Sequence, residues 1–380
     1  MARNYAFINP DILIWARRRS QLSQSVLAKK LSTSAETLNK WEMGQKAPTI
    51  RQAQAIAAKT HIPLGYLYLN EPPIERLDLP DLRTVNGIQP NSPSSELLEL
   101  AAHMRERVSW YAEYLRDQGL TSNNCVGRRS STEDVNQIVN DIRRILAISE
   151  GDYSADQDKY LRLLIKKIEQ AGILVMKQAT IRNHRHLSVS EFRGFAISDP
   201  VAPLIFINFA DVSCARLFTL IHELAHIWLG QSGISDAHPD TDKAIEIKCN
   251  AIAAQFLVPE DQFLSSWQNE RSWMENILQL RRQFRTSRWV IARRAESLGK
   301  ITLPQYREYT AELRAEYVER DKNRKDGGDF YITKKSQISK PFSKAIVSEA
   351  LSGKLLLREA GQLLDMRPPH VMKYTQELGI

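Results

Sequence analysis

Leu217-Phe218-Thr219-Leu220-Ile221-His222-Glu223-Leu224-Ala225-His226-Ile227-Trp228-Leu229 decides how this chain is read. No Gly or Pro interrupts the stretch before Gly230. Leu217, Leu220, Ile221, Leu224 and Trp228 recur at helical intervals, which predicts an amphipathic helix with those residues on its buried face. His222 and His226 stand one turn apart, so their imidazoles project side by side and can grip one metal ion. Glu223 is rotated about a quarter turn from them, placed to handle water rather than the metal. The plainer reading is a pair of surface histidines on a helix.

Two imidazoles leave a tetrahedral zinc site short of one protein ligand. The extended pattern H-E-x-x-H-x-x-G-x-x-H fails, because Leu229 and Ser232 occupy its last two fixed positions. Downstream candidates are Asp236, His238, Asp240, Asp242, Glu246 and Cys249. The first four fall in a turn-rich passage, Ser235-Asp-Ala-His-Pro-Asp-Thr-Asp242. Glu246 opens a second predicted helix, Glu246-Ile-Lys-Cys-Asn-Ala-Ile-Ala-Ala-Gln-Phe-Leu-Val258, stopped by Pro259, and shares a face with Asn250 and Ala253. A carboxylate on a rigid helix is better positioned than one in a loop, which favours Glu246, with His238 as its rival. One zinc ion per chain would lower the pKa of its water to about 7. Glu223 would accept that proton during attack on a peptide carbonyl and pass it to the leaving amine. The motif names no oxyanion donor. Phe192–Ser198 reads either as an edge strand that pairs with an extended substrate or as an ordinary packed strand.

These residues resemble the ImmA/IrrE family of metallopeptidases. The likeness rests on Phe218–His226, on Glu246–Pro259, and on Arg193-Gly-Phe-Ala-Ile-Ser-Asp199 followed by Pro203-Leu-Ile-Phe-Ile-Asn208, and it covers roughly 160 to 300. It implies an α+β zincin-like peptidase domain, mainly α with a small β-sheet, with zinc held by His222, His226 and Glu246 and with Glu223 as catalytic acid/base. It also implies a place in bacteria, phages or mobile elements, where relatives cleave transcriptional repressors. Ile252 and Cys249 depart from the family's usual aromatic and Ala, and neither change removes a catalytic atom. Cys249 beside the zinc helix reads as a small buried residue, with a metal-ligand or redox role as the alternative.

Leu22-Ser-Gln-Ser-Val-Leu-Ala-Lys-Lys-Leu-Ser-Thr-Ser-Ala-Glu-Thr-Leu-Asn-Lys-Trp-Glu-Met-Gly44 carries a second signal. Ser23 can cap a short helix with Val26, Leu27 and Leu31 inward, and Ser32-Thr-Ser34 forms a turn. Leu38 and Trp41 anchor a second helix ended by Gly44, and Ile56 and Ala57 belong to a further packing helix. This resembles the all-α helix-turn-helix of the Xre/Cro family. In that geometry the second helix enters the major groove, and Gln24, Ser34, Ala35, Glu36, Thr37, Asn39 and Lys40 face DNA by position. Arg17, Arg18 and Arg19 are placed for phosphate. Glu36 suits DNA only through a cytosine amine, and helices of this kind also dock proteins.

At 380 residues the chain exceeds a single core, so a multidomain protein is expected. The expected parts are the helix-turn-helix domain at 8–70, a linker and helical connector at 71–155, the peptidase core at 156–265, a helical, helix-turn-helix-like extension at 266–318 and a helical tail at 319–380. Net charge +8 and pI near 9.3 favour a polyanionic partner. No apolar run approaches a membrane span and the start lacks a signal-peptide core, which predicts a cytoplasmic protein without membrane contact. Cys125, Cys214 and Cys249 are widely separated, as free thiols in a reducing compartment would be. The arginine-dense 278–298 reads equally as a DNA contact and as packing. In the tail, Leu357-Arg-Glu-Ala-Gly-Gln-Leu-Leu364 faintly resembles a helix-turn-helix, but Pro368 and Pro369 argue against it. Two functions follow. The first is a DNA-associated protease acting on a repressor or another protein, with homodimerisation expected of a half-site reader. The second is a regulator or antitoxin of a toxin-antitoxin module, whose peptidase fold binds a partner such as a toxin with little catalysis.

Overall fold

The computed structural model describes residues 4–20, 22–73, 94–149, 157–181, 185–189, 191–230, 239–284, 286–322 and 335–379. Two compact units emerge: the described residues up to 73 with 94–102, and those from 103 onward. Residues 74–93 of the expected connector and 323–334 of the expected tail lie outside the described residues.

The first unit is built on four helices, α1 (Pro10–Arg19), α2 (Gln24–Lys30), α3 (Ala35–Glu42) and α4 (Ile50–Thr60). Ser23, Ser34 and Thr49 each accept a backbone N–H of the following first turn, which fixes where α2, α3 and α4 begin. Their apolar faces close on Ile12, Leu13, Leu27, Leu38, Trp41 and Ile56. The inward residues of α2 are Leu27 and Ala28, whereas Val26, expected inside, is 44% exposed. The cap at Ser23 sets the helix phase, and in that phase the buried stripe runs through 27, 28 and 31.

The second unit gathers α5 (Ser95–Asp117) from 103 onward, α6 (Val135–Ile145), α7 (Gln157–Gln170) and a three-stranded sheet. In the sheet β1 (Leu174–Gln178) runs parallel to β5 (Leu204–Asn208), and β4 (Gly194–Ile197) pairs antiparallel on β5's other side. The short pair β2 (Thr180–Ile181) and β3 (Arg185–His186) lies apart from it. Helix α8 (Ser213–Leu229) packs on this sheet and is buried on nearly every side. The predicted apolar stripe of α8 is thus one part of a wholly enclosed surface. Helix α9 (Pro239–Leu257) lies against α8 and α6. It starts earlier than its sequence pattern indicated, with Pro239 in the first turn, where a missing N–H costs nothing. Beyond follow α10 (Glu260–Ser266), α11 (Trp273–Gln283), α12 (Arg288–Ser297), α13 (Leu303–Lys322), α14 (Lys340–Leu351), α15 (Leu357–Leu363) and α16 (Pro368–Leu378). The molecule is mainly α with a small mixed sheet, together with an all-α helix-turn-helix region.

Candidate functional site

Helix α8 holds His222 and His226 at 0% and 2% exposure, with Glu223 fully buried between them in sequence. Helix α9 brings Glu246 from the side. The two Nε2 atoms lie 3.1 Å apart, and Glu246 Oε1 lies 3.4 Å from His222 Nε2 and 3.1 Å from His226 Nε2. Ligand atoms about 2.1 Å from a tetrahedral zinc stand about 3.4 Å from one another, so three donor atoms at these separations fit one such ion. Among the described residues these three side chains form a cluster able to hold a metal. The rivals Asp236 and His238 lie outside the described residues, as do the side chains of Asp240 and Asp242. Burial pushes the Glu246 carboxyl up, but hydrogen bonds and charge from His222 and His226 outweigh it and hold the group well below the usual carboxylate range. It is therefore an ionised oxygen donor. Cys249 is completely buried beside His226, and burial pushes its thiol up, which leaves it protonated rather than a competing thiolate.

Glu223 owes its room to Gly194 on β4. A Cβ built on Gly194 would come 3.2 Å from Glu223 Oε1, 2.8 Å from the Phe206 carbonyl oxygen and 2.6 Å from the Thr219 methyl. Only glycine lets the strand run this close to α8. Strand β4 pairs with β5 alone among the described residues, so its outer side is an edge of the sheet.

Several residues that hold the site in place were not anticipated. The end of α8 is clamped by a loop: Gly127 N–H donates to the Ile227 carbonyl and Arg129 N–H to that of Trp228, both at 3.0 Å. Gly127 and Gly230 both take positive φ, and their backbones meet so closely that a Cβ on Gly230 would lie 2.6 Å from Gly127 Cα. Trp228, two residues beyond His226, donates its indole N–H to the Asp141 carboxylate at 3.1 Å. Arg128, Arg129 and Arg144 pair with the same carboxylate at 2.8, 3.1 and 2.5 Å. Burial works against the charge on Asp141, yet the hydrogen bonds from Arg129, Trp228, Arg144 and Arg128 hold its carboxyl well below the usual range. The sequence did contain a signal. Asp141 falls on the buried stripe of its helix, with Ile138 and Ile142, where an acidic residue needs a partner.

Helix α12 packs against α8 and α9. Its Arg294 is buried, bonding Gln255 and lying 3.5 Å from Glu260, and Arg288 pairs with Glu316 at 2.5 Å. Packing accounts for these arginines.

In the first unit the predicted DNA-facing residues gather around α3. Ser34, Ala35, Glu36 and Lys40 are exposed, whereas Gln24, Thr37 and Asn39 are half-buried. Ser34 is occupied as the cap, bonding Thr37. Glu36 pairs with Lys40 at 2.7 Å. Gln24 donates to Asn39 Oδ1 at 3.3 Å and to Glu42 at 2.7 Å. Arg17, expected at phosphate, instead forms a two-pronged pair with buried Glu42 at 2.6 and 3.0 Å, and this tie fixes α1 to α3. Arg18 remains exposed.

An enclosed helix presenting H-E-x-x-H beside a small mixed sheet, on one chain with a helix-turn-helix, defines a peptidase-like fold joined to a DNA-binding domain type. The family comparisons agree. Residues 168–296 match the peptidase family described as the IrrE N-terminal-like domain, and residues 13–67 match the helix-turn-helix family. The chain thus has the architecture of an ImmA/IrrE peptidase domain with an Xre-type helix-turn-helix. Residues 338–377 match a domain of unknown function, DUF8813. No curated protein and no solved structure matches the chain. Among the described residues no helix is long and apolar enough to cross a membrane.

Proposed function

We propose that this protein is a DNA-associated regulatory zinc metallopeptidase that cleaves a protein substrate, a transcriptional repressor, at the centre formed by His222, Glu223, His226 and Glu246. The observation that carries the reading is the convergence of three donor atoms at ligand spacing, with Glu223 buried next to them. A zinc ion held there supplies a Lewis acid that lowers the pKa of water to about 7. Glu223 takes the proton as water attacks the scissile carbonyl, then delivers it to the departing amine. The outer edge of β4 runs beside Glu223 and offers main-chain groups on which an extended peptide can align. Helix α3 reads the major groove through Gln24, Ser34, Ala35, Glu36, Thr37, Asn39 and Lys40, with the protein acting in the cytoplasm and pairing as a homodimer at half-sites.

The test is cleavage, by zinc-loaded protein, of repressors of the organism that carries the gene, beginning with any encoded beside it. The parent is expected to yield discrete fragments, and Glu223→Gln, with its metal retained, to cut about 10²–10⁴-fold more slowly. Equal cleavage by both would remove Glu223 as the proton carrier.

A further inference from the structure

The segment matched only to a domain of unknown function repeats the spacing of the N-terminal helix-turn-helix from the start of its first helix to the start of its second. Helices α2 and α15 are each seven residues long. Each is followed by one closing residue, Leu31 or Leu364, and then by a non-glycine residue in the left-handed region, Ser32 at φ 52° or Asp365 at φ 53°. Two more residues lead to the next helix, which starts at Ala35 or Pro368. The backbone bonds of the two turns also coincide. Leu31, Ser32 and Thr33 donate to the carbonyls of Leu27, Lys29 and Ala28, and Leu364, Asp365 and Met366 donate to those of Ala360, Gln362 and Gly361.

The packing follows the same register. Leu27, Ala28, Leu38 and Trp41 are buried in the first motif, and Ala360, Gly361, Val371 and Tyr374 are buried at the equivalent positions of the second. Gly361 of this set lies tight against the turn. A Cβ on Gly361 would stand 2.7 Å from the Met366 carbonyl oxygen and 3.3 Å from Pro368 N. Pro368 and Pro369, which weighed against a helix-turn-helix, occupy the first turn of α16, where φ suits proline and no N–H is needed.

Among the described residues the outer side of α16 is exposed. Tyr374 bonds Ser343 of α14 at 3.1 Å, Arg107 of α5 donates to the Leu363 carbonyl at 2.8 Å, and Phe342 lies edge-on to Trp110 and Tyr111. These contacts use α14, the end of α15 and the inner side of α16. Pro368, Pro369, Met372, Lys373 and Gln376 on the outer side of α16 are exposed. Arg367 and Lys373 stand where Ser34 and Lys40 stand in the first motif, and Arg358 is exposed on α15. Across 335–379 Lys and Arg outnumber Asp and Glu seven to four, which suits a polyanion. Leu357 and Met372, at the places of Gln24 and Asn39, suit contact with thymine methyls.

We propose that residues 340–378 form a second helix-turn-helix that binds duplex DNA, with α16 as the helix entering the groove. The proposal is independent of the peptidase reading. Its test uses the full chain with the first reading face neutralised by Asn39→Ala and Lys40→Ala, and a labelled 30-bp duplex of random sequence titrated at several salt concentrations. In that background Arg358→Ala/Arg367→Ala/Lys373→Ala is expected to weaken binding at least tenfold and to reduce the slope of log K against log salt by about two to three. Lys159→Ala/Arg162→Ala/Lys166→Ala, which removes equal charge from the exposed face of α7, is expected to stay within about twofold. Arg358→Lys/Arg367→Lys keeps the charge and is expected to bind as its parent does. Equal weakening by both alanine triples, undiminished binding in the first, or loss in the lysine pair would each overturn the proposal.

Discussion

Two helices of this protein each present a pair of side chains one turn apart, and the pairs live in opposite surroundings. His222 and His226 on α8 are enclosed, with their Nε2 atoms 3.1 Å apart and a carboxylate from another helix against both. Glu36 and Lys40 on α3 face solvent, with side chains 77% and 47% exposed, and pair with each other. The same spacing therefore gives a fixed site in one helix and an adaptable surface in the other. Enclosure requires a supporting shell, and the shell is where α8 differs most from α3. Trp228, Asp141 and three arginines hold the end of α8, and Gly194 clears a place for Glu223. The exposed pair is screened by water and salt and can exchange its partner for a ligand at little cost.

The largest effect expected from breaking this contrast lies at Asp141. Asp141→Ala leaves the buried Trp228 indole and three partly exposed arginines without their acceptor, and should cost about 3 kcal/mol in chemical denaturation. The parent's dependence on this charge has a definite sign. The folded carboxyl titrates below its unfolded value of about 3.9, so its contribution is full above that pH and is lost as pH falls further. Denaturation midpoints measured below about pH 4 should decline more steeply in the parent than in the variant. A smaller loss, about 1–3 kcal/mol, is expected for Gly194→Ala, because the added methyl meets a carbonyl oxygen and a β-branched side chain. Peptide cleavage should fall in the same variant, since that methyl presses towards Glu223. The smallest effect belongs to the exposed pair. Lys40→Ala should reduce the salt slope of DNA binding by about one while leaving the melting temperature unchanged.

The sequence disclosed those parts of the molecule that are written at short range. H-E-x-x-H needs only helical periodicity to become a pair of facing imidazoles, and Glu246 was favoured because its own helix was legible. The Ser23 cap and the turn at Ser32 were likewise local. What stayed hidden depends on partners far along the chain. Asp141 meets Trp228 and Arg17 meets Glu42 across distances that periodicity does not encode. Arg17 illustrates the consequence: its position before α2 suggested phosphate, but a buried carboxylate 25 residues on competes for it. The prolines of α16 misled for a different reason. Proline breaks a helix interior and suits a helix start, so its meaning turns on where the helix begins.

The central claim is that α8 and α9 together grip one zinc ion. Elemental analysis of protein purified with zinc present tests it most directly. The account predicts close to one zinc per chain in the parent and in Glu223→Gln, and almost none in His222→Ala/His226→Ala. A zinc-free parent, or a double variant that keeps the full complement of metal, would contradict it.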